Sequence, residues 1–153
     1  MTTLNEHIET PLPLDEAFAF VADFTNAKDW DPGVATSERL DPGPVAVGAR
    51  YRLGVRMGGG VASMEYRDTA LEPLRRVVLA GEGSGVSAVD DIRFEATPGG
   101  TRIDYTADIR LRGAKRLVAP FAGGAFAKIA RQARDGMQRA LDERAATRRG
   151  TDR

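Results

Sequence analysis

The chain has 153 residues, of which 42% are hydrophobic and 29% are charged, as is ordinary for one globular domain. Its 22 basic residues balance 22 acidic ones, so no excess of charge predicts binding to nucleic acid or to an anionic membrane. Cysteine is absent, and this excludes disulfides, thiolate nucleophiles and thiolate metal ligands.

The N-terminal sequence gives no indication of a targeting segment. Its first residues, MTTLNEHIETPL, lack the basic region and the apolar stretch of a signal peptide. No apolar run approaches the roughly 18 residues that a membrane-spanning helix needs. We therefore expect a cytoplasmic protein without stable membrane insertion.

The first elements are a strand and two short helices. Residues 3–10 alternate loosely between apolar and polar side chains and predict strand one. A helix opens at Leu14, with Asp15 and Glu16 in its first turn, where the helix dipole favours acids. A second short helix is predicted over Ala27–Trp30, and the Asp-Pro-Gly sequence that follows is a strong turn signal.

From Val34 onwards the hydrophobic period changes to two, which is typical of half-buried strands. The clearest example is Arg50–Met57, where apolar residues alternate with arginine and glycine. Glycine and proline turns separate the strands, among them Gly58-Gly59-Gly60, which lacks the lysine and helix of a phosphate loop. The six predicted strands cover residues 34–40, 50–57, 61–71, 75–80, 87–96 and 101–112.

One long amphipathic helix is predicted over residues 120–146. Phe126, Ile129, Ala133, Met137 and Leu141 recur at three- and four-residue steps and form one apolar face. A single helix cannot fill the hollow of a strongly curved antiparallel sheet, so this order of elements predicts a cavity between the two. We expect one domain over residues 1–146 and a disordered basic tail over residues 147–153.

Several segments together resemble one known family. These are residues 8–11 (IETP), 17–23 (AFAFVAD), 30–34 (WDPGV), 98–103 (PGGTRI), 111–113 (LRG) and the closing helix. They resemble the START-like proteins, the polyketide cyclase/dehydrase and lipid transport group of the SRPBCC superfamily, related in fold to the birch-pollen allergen Bet v 1. The resemblance implies an α+β helix-grip fold, in which a seven-stranded curved antiparallel sheet surrounds a long C-terminal helix, with two short helices after strand 1.

That resemblance implies an apolar pocket between sheet and helix. We expect no cofactor. The ligand-binding residues that we predict are aromatic or apolar side chains on the inward faces of these elements. They are Trp30, Tyr51, Leu53, Met57, Met64, Tyr66, Phe94, Tyr105, Phe121, Phe126, Ile129 and Met137. Methionine suits an irregular pocket wall and an ordinary core equally well. Trp30 forms either a lip of the pocket or, as we favour, an anchor for the short helices.

Few residues offer catalytic chemistry. His7 is the single histidine, and the alternation of strand one points it outward, so neither a metal site nor a Ser-His-Asp triad is expected. Asp90 shares the inward face of its strand with Ile92 and Phe94, where burial would raise its pKa and make it a proton donor or ligand anchor. We favour instead a position at the open end of the strand, solvated or paired with an arginine, because buried unpaired acids are costly.

These observations favour a protein that binds a small hydrophobic or aromatic molecule. An enzyme of the polyketide cyclase, aromatase or dehydratase type, using acid–base residues in the same cavity, is the alternative that the resemblance allows. A third possibility is an interaction protein that docks a partner on the sheet or the last helix. Neither the ligand nor the oligomeric state follows from the sequence.

Overall fold

The computed structural model describes residues 2–121 and 123–152, with the side chains of residues 118–121 excepted. Seven strands are present: β1 (Thr2–Thr10), β2 (Val34–Arg39), β3 (Arg50–Met57), β4 (Gly60–Glu72), β5 (Arg76–Gly83), β6 (Val86–Thr97) and β7 (Gly100–Leu111). The helices are α1 (Leu14–Ala22), α2 (Ala27–Trp30) and α3 (Gly123–Thr151), with short 3₁₀ segments at Phe24–Asn26 and Gly113–Phe121. Within the described ranges, no helix is long and apolar enough to cross a membrane.

The strands form one antiparallel sheet in the order β1-β7-β6-β5-β4-β3-β2. Successive strands from β2 to β7 are therefore neighbours, and the first strand closes the far edge beside the last. Register shifts between Val34 and Thr36 and between Asp68 and Ala70 mark bulges in β2 and β4, which bend a sheet locally and increase its twist. This arrangement is the predicted helix-grip fold: a curved sheet whose concave face holds a long C-terminal helix.

The long helix packs differently along its two halves. Its buried residues, Gly136, Met137, Leu141 and Ala145, lie between its middle and its C-terminal end. In the first half, Ile129 keeps 45% of its surface exposed. The second half therefore belongs to the hydrophobic core, whereas the first half covers a space that side chains do not fill.

A close backbone contact fixes the middle of α3. A Cβ atom placed on Gly136 would lie 2.1 Å from the Trp30 carbonyl oxygen and 2.9 Å from Pro32 Cδ. Any larger residue would push the helix away from the turn after α2, so glycine's low helix propensity is offset here by close packing.

The C-terminal end of α3 differs from the prediction. The helix reaches Thr151 rather than ending near residue 146, and residues 147–151 form its last turns instead of a frayed tail. Ala145 is buried, and the Arg148 guanidinium lies 2.9 Å from the Glu16 carboxylate of α1. A tertiary ion pair of this kind cannot be read from local composition.

Candidate functional site

A cavity of about 560 Å³ lies between the concave face of the sheet, the turn after α2 and the first half of α3. Its wall is mostly apolar and comes from β1, β2, β3, β4, β6 and β7 as well as from the helices. Two alanines, Ala88 on β6 and Ala107 on β7, line it from neighbouring strands. Their small side chains leave room that larger residues would occupy.

Nine of the twelve predicted ligand-binding residues line this cavity. They are Trp30, Leu53, Met57, Met64, Tyr66, Tyr105, Phe126, Ile129 and Met137. The three cavity methionines lie on β3, β4 and α3 and meet at the same space. Phe121 lies outside the described side chains.

Tyr51 and Phe94 do not reach the cavity wall. Tyr51 is completely buried and donates a hydrogen bond of 3.3 Å to the Asp68 carboxylate, while the ring of Phe24 covers it at 6.1 Å between centroids. Phe94 packs edge-on against Phe18 of α1, at 5.0 Å. Both predicted side chains point inward, but the short helices cover them and make them core residues.

Trp30 combines the two roles considered for it. Its side chain is 3% exposed and packs edge-on against Phe24 and Tyr105, with 6.1 Å between ring centroids in each case. The indole thus anchors α2 on the sheet and also forms part of the cavity wall.

Asp90 contradicts the favoured expectation of a solvated carboxylate paired with arginine. Its side chain is 7% exposed and lines the cavity. Its neighbours across the sheet are Leu79 of β5 and Ala107 of β7, so Asp90 lies within the paired region rather than at an open strand end. The Tyr105 hydroxyl donates a hydrogen bond to its carboxylate.

Burial raises the pKa of Asp90 from 3.8 to about 7. The hydrogen bond from Tyr105 opposes this rise, and the nearby charge of Asp31 adds to it. Burial, with contributions from Asp90 and Asp31, also raises the pKa values of Tyr66 and Tyr105 well above 10. A carboxyl group that titrates near neutral pH can hold a proton or release it within the cavity.

Asp31 is a functional candidate that the sequence patterns did not reveal. It lines the cavity and accepts a 2.8 Å hydrogen bond from the backbone N–H of Gly33. Burial raises its pKa, while that hydrogen bond and the charge of Arg56 lower it. The Asp-Pro-Gly sequence correctly indicated a turn, but a turn signal does not say whether the aspartate faces solvent or a cavity.

Of the described basic residues, three also border the cavity, and each one contacts the backbone. Arg56 Nη1 donates to the Pro32 carbonyl at 2.8 Å, Arg134 Nε donates to the His7 carbonyl at 3.2 Å, and the Lys115 ammonium group donates to the carbonyl of Ser84. These contacts hold the charged ends beside main-chain oxygens.

His7 faces outward, as strand alternation predicts. Its Nδ1 lies 3.0 Å from a carboxylate oxygen of Asp104 on the neighbouring strand, and 44% of its side chain is exposed. Among the residues that the structure describes, no group of three or more acidic or histidine side chains is placed to hold a metal ion.

Comparison with solved structures finds the same fold in proteins of low sequence identity. The aromatase/cyclase ZhuI from Streptomyces sp. R1128 is 18% identical with a TM-score of 0.76, the match covering 96% of this chain and 94% of that one. A START superfamily protein from Mycobacterium smegmatis is 15% identical with a TM-score of 0.72, covering 95% and 97%. A protein from Thermus thermophilus is 14% identical with a TM-score of 0.73, covering 92% and 95%. At this identity the likeness shows the fold alone.

The family is established by the sequence. A comparison with curated proteins gives no significant match. The family model for polyketide cyclase / dehydrase and lipid transport, by contrast, matches residues 1–142, which is nearly the whole chain. The curved seven-stranded sheet, the long helix and the cavity between them agree with that match. The chain therefore belongs to the polyketide cyclase/dehydrase and lipid transport family.

Proposed function

We propose that this protein binds a small, largely apolar molecule in the cavity between the sheet and α3. The observation that carries the proposal is the cavity itself: about 560 Å³ of space bordered by aromatic, aliphatic and methionine side chains. That volume falls within the range of roughly 300–1,000 Å³ found for small-molecule sites. Space of this size costs stability when it stays empty, which supports a ligand as the reason for keeping it.

Trp30 offers a direct measurement. It is the single tryptophan of the chain and it lines the cavity, so its fluorescence reports on occupancy. Titration with butylbenzene and with 4-butylbenzyl alcohol should give saturable changes in emission with one site per chain. The proposal is contradicted if neither compound gives a saturable change.

A pair of variants locates the binding. Ala107→Leu adds three carbons to the cavity wall and should weaken binding of both compounds. Ala125→Leu changes an exposed residue of α3 that does not border the cavity, and should leave the affinities unchanged. Equal affinities in the two variants would place the binding elsewhere.

A second candidate function is acid–base catalysis of the cyclase, aromatase or dehydratase type. It is favoured by Asp90, whose buried carboxyl has a pKa of about 7 and a hydrogen bond from Tyr105. A group with this pKa exchanges protons efficiently at neutral pH, and a shaped cavity can fold a flexible substrate for ring closure. The related fold of an aromatase/cyclase from Streptomyces supports the same candidate.

The two functions separate in one experiment. Native mass spectrometry of the protein purified from its own host would identify a co-purified molecule, which is then incubated with the wild type and with Asp90→Asn. An enzyme should convert the molecule, and the variant should bind it without converting it. A binding protein should return the molecule unchanged in both cases.

A further inference from the structure

Two acidic residues, Asp90 and Asp31, lie near each other on a cavity wall that is mostly apolar. Asp90 lies in the middle of the inner face of β6, with Ala88 two residues before it and Ala107 opposite it on β7. Both alanines line the cavity, and their short side chains leave the carboxyl group accessible from that space. Asp31 lies in the turn after α2, close enough to Asp90 for its charge to raise the pKa of Asp90.

Among the residues that the structure describes, the groups that shift the pKa of Asp90 are Asp31, which is acidic, and Tyr105, which is neutral. The Tyr105 hydroxyl donates a hydrogen bond to the Asp90 carboxylate. The charges of Asp90 and Asp31 both raise the pKa of Tyr66. The pKa values of these four groups, Asp31, Asp90, Tyr66 and Tyr105, are all raised, and burial is the main cause. For Asp90 and the two tyrosines, the charge of a nearby carboxylate raises the pKa further. Such a site is deficient in positive charge, so a bound cation would favour the ionised carboxylates.

The basic residues around the cavity do not supply that charge to Asp90. Arg56, Lys115 and Arg134 each donate to backbone carbonyls, and Arg134 also lies 2.8 Å from Asp135. Arg56 does lower the pKa of Asp31, yet burial outweighs it and that pKa is still raised.

Aromatic rings surround the same position. Trp30 stands edge-on to Tyr105 with 6.1 Å between centroids, and Phe24 lies 5.7 Å from Tyr66. All four residues line the cavity. Ring faces attract cations, and the attraction grows when water is excluded. A buried carboxylate beside aromatic rings is an arrangement that suits an ammonium group.

We infer that the ligand of this cavity is an apolar, ring-containing amine, whose protonated nitrogen contacts Asp90 and Asp31 while its hydrocarbon part fills the space towards α3. The inference rests on the proposed binding function and names the chemical class of the ligand. The nitrogen would donate hydrogen bonds to the two carboxylates, and the methionines and Phe126 would contact the apolar part.

Three molecules with one skeleton test the inference: 4-butylbenzylamine, 4-butylbenzyl alcohol and 4-butylbenzoate. They present a cation, a neutral hydroxyl group and an anion on the same apolar body. Dissociation constants are measured at pH 8 by Trp30 fluorescence and by calorimetry. The amine should bind about tenfold more tightly than the alcohol, which equals about one pK unit of mutual stabilisation between charge and carboxylate, and the benzoate should bind most weakly.

Two variants connect the preference to Asp90. Asp90→Asn removes the charge and should bring the affinity for the amine down to that for the alcohol, with little effect on the alcohol itself. Glu95→Gln removes an acidic charge from the outer, exposed side of the same strand and should leave the preference unchanged.

Each outcome supports or overturns a separate statement. Equal or tighter binding of the alcohol or the benzoate in the wild type would overturn the amine inference and leave the apolar binding function standing. The amine inference also fails, on its own, if the preference for the amine persists in Asp90→Asn. If none of the three compounds binds, the proposed binding function fails together with the inference.

Discussion

Replacing Asp90 with asparagine should stabilise this protein at neutral and alkaline pH. Burial raises the pKa of Asp90 from 3.8 to about 7, and at about 1.4 kcal/mol per pK unit this amounts to roughly 4 kcal/mol of lost stability once the pH exceeds both values. The asparagine side chain keeps an oxygen that accepts the hydrogen bond from Tyr105, but it carries no charge. The variant therefore avoids most of this cost.

The sign of the pH dependence follows from the direction of the shift. Between about pH 4 and about pH 7 the folded chain holds a proton on Asp90 that the unfolded chain has released. Stability of the wild type therefore falls as the pH rises through this interval, and the loss is complete above the folded-state pKa. Below about pH 4 both states are protonated, so the wild type and Asp90→Asn should be equally stable.

Urea denaturation at pH 4, 6 and 8 measures the difference. The gain in unfolding free energy for Asp90→Asn should be near zero at pH 4 and should grow to a few kcal/mol at pH 8. In a chain of this size, each kcal/mol corresponds to about 2–4 °C in melting temperature. The gain in unfolding free energy should stay below the full value of roughly 4 kcal/mol, because water reaches a buried carboxylate and the surrounding residues relax around it.

The next residue provides a matched control. Asp91 points to the opposite side of β6 and pairs with Arg76 at 2.8 Å, which lowers its pKa. Asp91→Asn should therefore reduce stability at pH 8 by up to about 1 kcal/mol, and this loss should disappear as the pH falls. The reasoning is refuted if Asp90→Asn is no more stable than the wild type at pH 8, or if its advantage is as large at pH 4.

Two further predictions concern the core and the helix. Asp68 is fully buried, its Oδ1 has no hydrogen-bond partner among the described residues, and burial raises its pKa to about 6. Asp68→Asn should therefore add up to about 3 kcal/mol to the unfolding free energy above pH 6 and almost nothing at pH 4. A pH-independent effect in urea denaturation would show that ionisation is not the cause. Gly136→Ala should lower the melting temperature despite alanine's higher helix propensity, because the added Cβ would meet the Trp30 carbonyl at 2.1 Å. Gly124→Ala, whose added Cβ would meet no described atom within 4 Å, should instead stabilise by about 0.5–1 kcal/mol. Equal effects of the two substitutions in thermal denaturation would contradict the packing argument.

The retention of a costly carboxyl in the cavity bears on function. Asp90 lies on a strand whose buried neighbours Ala88, Ile92 and Phe94 are apolar, and the fold does not need a charge at this position. Residues that lower stability without a structural benefit are characteristic of functional sites. The amine inference and the catalytic alternative each give Asp90 a functional role. The ligand experiments distinguish the two roles.

The amino-acid sequence by itself determined the order and type of the elements. Alternating side chains between glycine and proline turns predicted every strand to within three residues at either end, and the stripe through Phe126, Met137 and Leu141 predicted the long helix. These signals are local, since they depend on the period of apolar residues and on turn chemistry. The topology required the family resemblance, because strand order is not a local property.

The tertiary structure decided which inward residues meet the cavity. Tyr51 and Tyr66 are paired directly across β3 and β4, yet the hydroxyl of Tyr51 is bonded within the core to Asp68, while Tyr66 lies against Gly81 and borders the cavity. Alternation placed Asp90 on the inner face, but its burial depends on β5 and β7 on either side and on the ring of Tyr105. Burial and pKa arise from contacts between residues distant in sequence, and for that reason only the folded chain shows an acidic group beneath the helix.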